Sequence, residues 1–261
     1  MVTLKELTEY LELIAPSALA ESYDNVGLLI GDENAKINKV LITLDTDEQV
    51  AKEASELGVQ LILSHHPLIF HPVKNILKSS SFGRTAYALI QNNISLYAMH
   101  TNFDSVSGGL CDYFLQQICS QKAVASLEGE YPNGIGRIAV LPEHVSLAGL
   151  LQRIKQNMNV GQLRFVGNEN LAVKRIAVCN GGGADLIYSA AKAEADVFVT
   201  GDLKYHHARF AYENGMGLIE IPHYEAEIIF CRYICERLKK HFTDRVDFFV
   251  SQKNVNPWNI G

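Results

Sequence analysis

The sequence predicts an α/β fold made of two similar halves, each a mixed, mainly parallel sheet flanked by helices. Three observations carry this expectation. Short apolar runs alternate with amphipathic helical segments, which is the pattern of βαβ units. The scheme occurs twice in the same register, since Val40 to Ser64 and Ile176 to Thr200 each span 24 positions. Histidine-bearing motifs also follow the second and third strands of both halves.

The elements read as follows. Leu4, Leu7, Leu11 and Ile14 fall on one helical face, and Thr3 with Glu6 has the spacing of a capping box. VLITL (40–44) reads as a strand, 47–57 as a helix ended by Gly58, and LIL (61–63) as a strand. A helix over 82–92, a strand ISLYAM (94–99) and a helix over 107–119 complete the first half. In the second, RIAVC (175–179), DVFV (196–199) and GLIEI (217–221) are strands. Helices follow each of them, over 184–193, 204–214 and 224–240. The Gly/Pro-containing stretch 128–136 predicts a junction, giving halves 1–127 and 128–261, with the C-terminal helix packing back on the first.

A hydrophobic fraction of 48% with 20% charged residues excludes a disordered chain. The net charge of −6 gives no positive field for nucleic acid or an anionic membrane. MVTLKELTEY has no signal-peptide core, and no apolar run approaches about 18 residues. The expected location is the reducing cytoplasm. Five cysteines without a CxxC do not form a disulfide framework. Cys231 and Cys235 share a helix face, where buried thiols are preferred over a structural zinc.

Six of the nine histidines lie in SHHP (64–67), HTNFD (100–104), TGDLKYHH (200–207) and HYEAE (223–227). In parallel sheets, ligands bind beyond the carboxyl ends of the strands, so all four motifs sit where this architecture places a site. Imidazole with carboxylate suits borderline divalent ions such as zinc, manganese or iron. His65 and His66 end a strand, where neighbouring side chains point to opposite faces. Two ions about 3.5–4 Å apart would then take one each. The competing reading is a polar turn with two surface histidines. His223 and Glu227, four apart at a helix start, share one face. A helix-dipole preference would also explain the glutamate. Asp104 has the same spacing from His100, yet it also resembles an N-cap. His100 can be a ligand, a group behind the ligands or a proton carrier. Asp202 and His206 are candidates for acid–base or substrate contacts, His207 is read as solvent-facing, and His71, His144 and His241 as structural. GGG (181–183) is preferred as a tight strand-to-helix turn over a phosphate cradle, lacking the residues of a P-loop.

The stretches ESYDNVGLLIG (21–31), SHHPLIF (64–70), HTNFDS (100–105), TGDLKYHHA (200–208) and IPHYEAE (221–227) resemble the type-2 GTP cyclohydrolase I homologues. These are also called dinuclear-metal-centre or NIF-three-like proteins. The resemblance runs across nearly the whole chain and in the family's order. Tyr23 stands where tryptophan is common in that family, and the chain matches its short form, without an inserted domain. The resemblance implies two intertwined halves, a homohexameric ring, and two divalent ions held by His65, His66, Asp104, His223 and a bridging Glu227. It also implies that His100 and His206 are additional site histidines. The expected activity is metal-dependent hydrolysis of a nucleotide-like small molecule, with attack at C8 for GTP and His100 or His206 moving protons. A phosphoesterase and a non-catalytic oligomeric metal-binding protein are the alternatives.

Overall fold

In chain order the strands and helices of the computed structural model, which describes residues 1–259, begin with β1 (Val2–Thr3), α1 (Leu4–Ile14), β2 (Gly27–Ile30), β3 (Lys36–Ile37) and β4 (Lys39–Thr43). There follow α2 (Glu48–Leu57), β5 (Leu61–Ser64), α3 (Ser81–Gln91), β6 (Ser95–Ala98), α4 (Thr101–Ser105) and α5 (Leu110–Cys119). Next come β7 (Arg137–Ser146), α6 (Leu147–Met158), β8 (Arg164–Val166), β9 (Ala172–Val178), α7 (Ile187–Lys192) and β10 (Val197–Thr200). The chain closes with α8 (Tyr205–Glu213), β11 (Gly217–Glu220), α9 (His223–Glu227), α10 (Ile229–Phe242) and β12 (Asp247–Val250).

Local chemistry sets the element ends. Thr3 caps α1 through its hydroxyl, which accepts from the Glu6 N–H at 3.1 Å. The reciprocal half of the expected capping box is replaced by an ion pair from Glu6 to Arg245 at 2.7 Å. Asp47 caps α2 by accepting from the N–H groups of Gln49 and Val50. Gly58 ends that helix at φ +64°, a left-handed conformation that favours glycine.

The first unit comprises Met1–Phe103 together with Phe230–Gly261. Its sheet runs in the order β12-β4-β5-β6-β2, with the first four strands parallel and β2 antiparallel on β6. The residues of β5 and β6 are buried throughout, as expected of central parallel strands covered on both faces. Leu41, Ile62 and Leu96 pack there against Val50, Ala54 and Leu89 from the flanking helices.

The second unit, Asp104–Ile229, repeats the plan with the order β7-β9-β10-β11-β8. Strands β9, β10 and β11 are parallel, and β8 is antiparallel on β11, as β2 is on β6. The units differ at the other edge. There β4 carries parallel β12, whereas β9 carries antiparallel β7.

The units do not divide at 127/128, the boundary read from glycine and proline content. Cys111, Phe114, Leu115 and Ile118 of α5 belong to the core formed by α6 and strands β9 to β11, which draws residues 104–127 into the second unit. The C-terminal segment returns to the first unit not only through α10 but through β12, which extends the sheet at β4. Strands β1, β2, β3, β7, β8 and β12 and helices α4 and α6 have no counterpart among the elements the sequence predicts.

One buried charge in the second unit is structural. The Arg137 side chain is fully buried, and its guanidinium donates to the carbonyls of Gly134, Gly136, Ser105 and Val106. Its Nε lies 3.1 Å from Asp112 Oδ1. Arg137→Met leaves Asp112 Oδ1 and four carbonyls without the guanidinium, so we expect a loss of about 3–5 kcal/mol in urea unfolding.

Candidate metal centre

In the first unit, β5 and β6 end side by side, and the residues just beyond them carry the imidazoles. Because β5 ends at Ser64, strand alternation does not apply to His65 and His66. The backbone N–H groups of His65 and His66 instead bond to the carbonyls of Thr43 and Leu44, and the two rings lie 5.2 Å apart. This corrects the expectation of opposite-facing side chains. His100, just after β6, has its ring 5.2 Å from that of His65 and 5.5 Å from that of His66. One nitrogen from each of the three lies within 4.8 Å of the others, a group able to hold a metal ion.

Each ring is oriented from behind. His65 Nδ1 lies 2.7 Å from the Met99 carbonyl oxygen, so it carries the proton and donates. His66 Nδ1 lies 2.7 Å from Asp45 Oδ1, and His100 Nδ1 lies 2.9 Å from both oxygens of Asp24. With Nδ1 committed to an oxygen in each case, Nε2 is the nitrogen presented for coordination, as in carboxylate–histidine–metal arrangements. Asp24 also accepts from the Thr101 hydroxyl and backbone N–H at the start of α4. Burial works to raise the Asp24 pKa, but the bonds from His100 and Thr101 prevail and hold the carboxyl well below the usual range.

In the second unit the same logic applies with more carboxylate. His223 opens α9 after Pro222, and its Nδ1 lies 2.8 Å from Asp202 Oδ2. Its Nε2 lies 2.8 Å from Glu227 Oε2, one helical turn on. Glu227 is 3% and Asp104 7% exposed. Between them stands Asn180, whose Nδ2 donates to Asp104 Oδ1 at 2.8 Å and to Glu227 Oε1 at 3.3 Å. Asp104 is therefore not the cap of a following helix, since the residue capping α5 is Gly109. The glycine run proves to be a tight turn whose first member makes room for the acid. Gly181 sits at φ +59°, and a Cβ there would lie 1.9 Å from Glu227 Oε1.

Two buried carboxylates beside an imidazole are donors of the chemistry that divalent cations favour. The cysteines nearby are not ligands of the thiolate kind. Burial pushes Cys111 up to about 12 and Cys179 well above its ordinary value. Cys231 and Cys235 are buried thiols of α10, and no cysteine joins a metal-capable group among the described residues.

His223 has a pH signature. Burial works to lower its pKa, but the hydrogen bond and charge of Glu227, then those of Asp202, outweigh this and raise it to about 9. The folded value exceeds the unfolded one of about 6.5. The protonated ring therefore stabilises the metal-free protein fully below about pH 6.5, and this contribution is lost as pH rises through about 9. Coordination needs the neutral ring. Titrating metal into apo-protein at stepped pH is expected to show affinity rising across the same interval.

The remaining sequence candidates separate. Asp202 orients His223 rather than standing alone as an acid. His206 is exposed in the first turn of α8, its ring 4.1 Å from that of His207, and it is outside the metal-capable groups found among the described residues. His207, read as solvent-facing, is buried: its Nδ1 accepts from the Lys204 N–H at the start of α8, and Nε2 faces Asp185. Asp24, Asp45 and Asn180 were missed as site residues. Asp45 and Asn180 each follow the first strand of their half, where no histidine drew attention, and Asp24 lies inside the ESYDNVGLLIG stretch.

The family model for Duf34/NIF3 (NGG1p interacting factor 3) matches residues 2–257. The chain belongs to this family. Among its relatives, a GTP cyclohydrolase 1 type 2 homolog of Clostridium perfringens is 37% identical over 98% of this chain and 99% of its own. NIF3-like protein 1 of Drosophila melanogaster is 32% identical, covering 97% of this chain and 88% of its own. Of solved structures, Staphylococcus aureus hypothetical protein SA1388 superposes with TM-score 0.90 at 31% identity, covering 99% of both chains. Reduced HcgD from Methanocaldococcus jannaschii gives 0.82 at 29% identity, covering 96% of this chain and 98% of its own. The family expected from the sequence motifs is thus the family found, and the NIF3 fold agrees with the two mixed sheets. No helix among the described residues is long and apolar enough to cross a membrane.

Proposed function

We propose that this chain is a dinuclear metal-dependent hydrolase of a small nucleotide-like substrate. Its two divalent ions are held by His65, His66, Asp104, His223 and a bridging Glu227. The observation that carries the reading is that all four imidazoles have Nδ1 engaged by an oxygen, which directs Nε2 toward coordination in His65, His66 and His100 and toward the proposed ligand Glu227 in His223. The donor chemistry fits zinc, manganese or iron, and Gly181 leaves the space that Glu227 occupies. Ions bound by this set supply Lewis-acid polarisation and activation of water at neutral pH.

The chain's own residues do the rest. Asp24, Asp45 and Asp202 keep the imidazoles in the coordinating tautomer. Asn180 holds Asp104 and Glu227 in place by donating to both. His100, backed by Asp24, carries protons, and the exposed His206 is the second proton carrier in this reading. Self-association into a homohexameric ring belongs to the same proposal and is read by light scattering.

The test is turnover by protein loaded in turn with zinc, manganese or iron. Formate release from GTP supports a cyclohydrolase. Turnover only of phosphomonoesters or diesters replaces it with a phosphoesterase. No turnover of either class contradicts the hydrolase reading.

A further inference from the structure

Beside His100 the first unit carries aromatic surface that the metal chemistry does not use. The ring of Phe70 lies 6.2 Å from that of His100, nearly perpendicular to it, and 6.3 Å from that of Tyr23. Tyr23 is 60% exposed, a large apolar ring left at the surface next to a polar cluster. Neither ring is placed by chance of loop conformation. Asp24 receives the His100 imidazole and the start of α4, while the adjacent Asn25 donates through Nδ2 to the Ile69 carbonyl at 2.5 Å. One three-residue segment, Tyr23-Asp24-Asn25, therefore ties the backbone that carries Tyr23 to His100 and to the loop bearing Phe70.

Ligand sites pair a few placed polar groups with apolar and aromatic walls. Metal-donor imidazoles supply the first here, and the two rings supply the second. Aromatic faces bind flat heterocycles by stacking, largely without regard to which heterocycle it is. We infer that Tyr23 and Phe70 are the platform on which a planar heteroaromatic ring of the substrate stacks, with its reacting edge turned toward His100. The inference rests on the proposed function, whose substrate it narrows to molecules carrying such a ring. It makes these two residues determinants of specificity, not catalytic residues.

The experiment is calorimetric titration of the metal-loaded full chain with GMP, and with ribose 5-phosphate as the ring-free control. Metal content is measured on every sample. Wild type is expected to bind GMP at least about tenfold more tightly than ribose 5-phosphate. The double variant Tyr23→Ala/Phe70→Ala is expected to lose about tenfold or more in GMP affinity with its metal content unchanged. Tyr23→Phe, which keeps the ring face, is expected to retain wild-type affinity. Equal binding of the two probes, no GMP binding by wild type, or a double variant that binds GMP as wild type does would overturn the platform. Wild type that holds no metal yet loses GMP affinity on removal of the two rings would leave the platform standing and overturn the metal reading instead.

Discussion

Gly181→Ala is expected to abolish tight metal binding while leaving the protein folded. A methyl group there starts 1.9 Å from Glu227 Oε1 and 2.7 Å from its Cδ. Ordinary contact begins at about 3.4 Å, so the carboxylate, as the flexible end of its side chain, must retreat by about 1.5 Å. Metal–ligand distances tolerate about 0.2 Å, so the displacement removes Glu227 from coordination. The backbone cost of a non-glycine residue at φ +59° is about 1–2 kcal/mol, which lowers stability without unfolding the chain. Gly215→Ala separates the two effects. That glycine has φ +64° with nothing within 4 Å of its added Cβ. It should show a similar loss in thermal unfolding and bind metal normally.

Asp24→Ala is expected to lower turnover about 10–100-fold while metal content stays near wild type, because it removes the carboxylate that backs the proton carrier His100. Its side chain is fully buried, so water does not readily replace it behind His100. Asp45, behind the proposed ligand His66, is 62% exposed, and Asp45→Ala should weaken metal binding by less than about tenfold because solvent takes over the bond. The pH dependence separates Asp24 from His223. With its folded pKa depressed, Asp24 contributes stability above the unfolded carboxylate value of about 3.9, lost only as pH falls through the much lower folded value. It stays ionised wherever histidine ligands are neutral. Turnover by the metal-loaded protein at pH 7.5 measures the first variant, and competition against a chromophoric chelator at the same pH measures the second.

What could be read without coordinates was what repeats or what titrates. The central strands β4, β5, β6, β10 and β11 are built on short apolar runs, as is the end of β9 at Ile176–Val178, and the matched 24-residue spacing betrayed the duplication. The edges were opaque for physical reasons. β8 is three residues long with two of them exposed, β7 breaks its alternation at Val140–Val145, and β12 follows a long helix with no repeat counterpart. The proposed ligands were legible because histidine and carboxylate are scarce at strand ends. Asp24, Asp45 and Asn180 were not, since their roles depend on which imidazole or carboxylate the fold brings to them. His207 misled because a histidine pair in sequence does not reveal that one ring caps its own helix.

The most direct measurement is elemental analysis of protein purified without chelator, comparing wild type with Glu227→Ala. About two divalent ions per chain are expected in wild type and well below one in the variant, because a shared carboxylate holds both. Wild-type protein that takes up no divalent ion even when offered zinc, manganese or iron, or a variant that still carries two, would contradict the dinuclear reading.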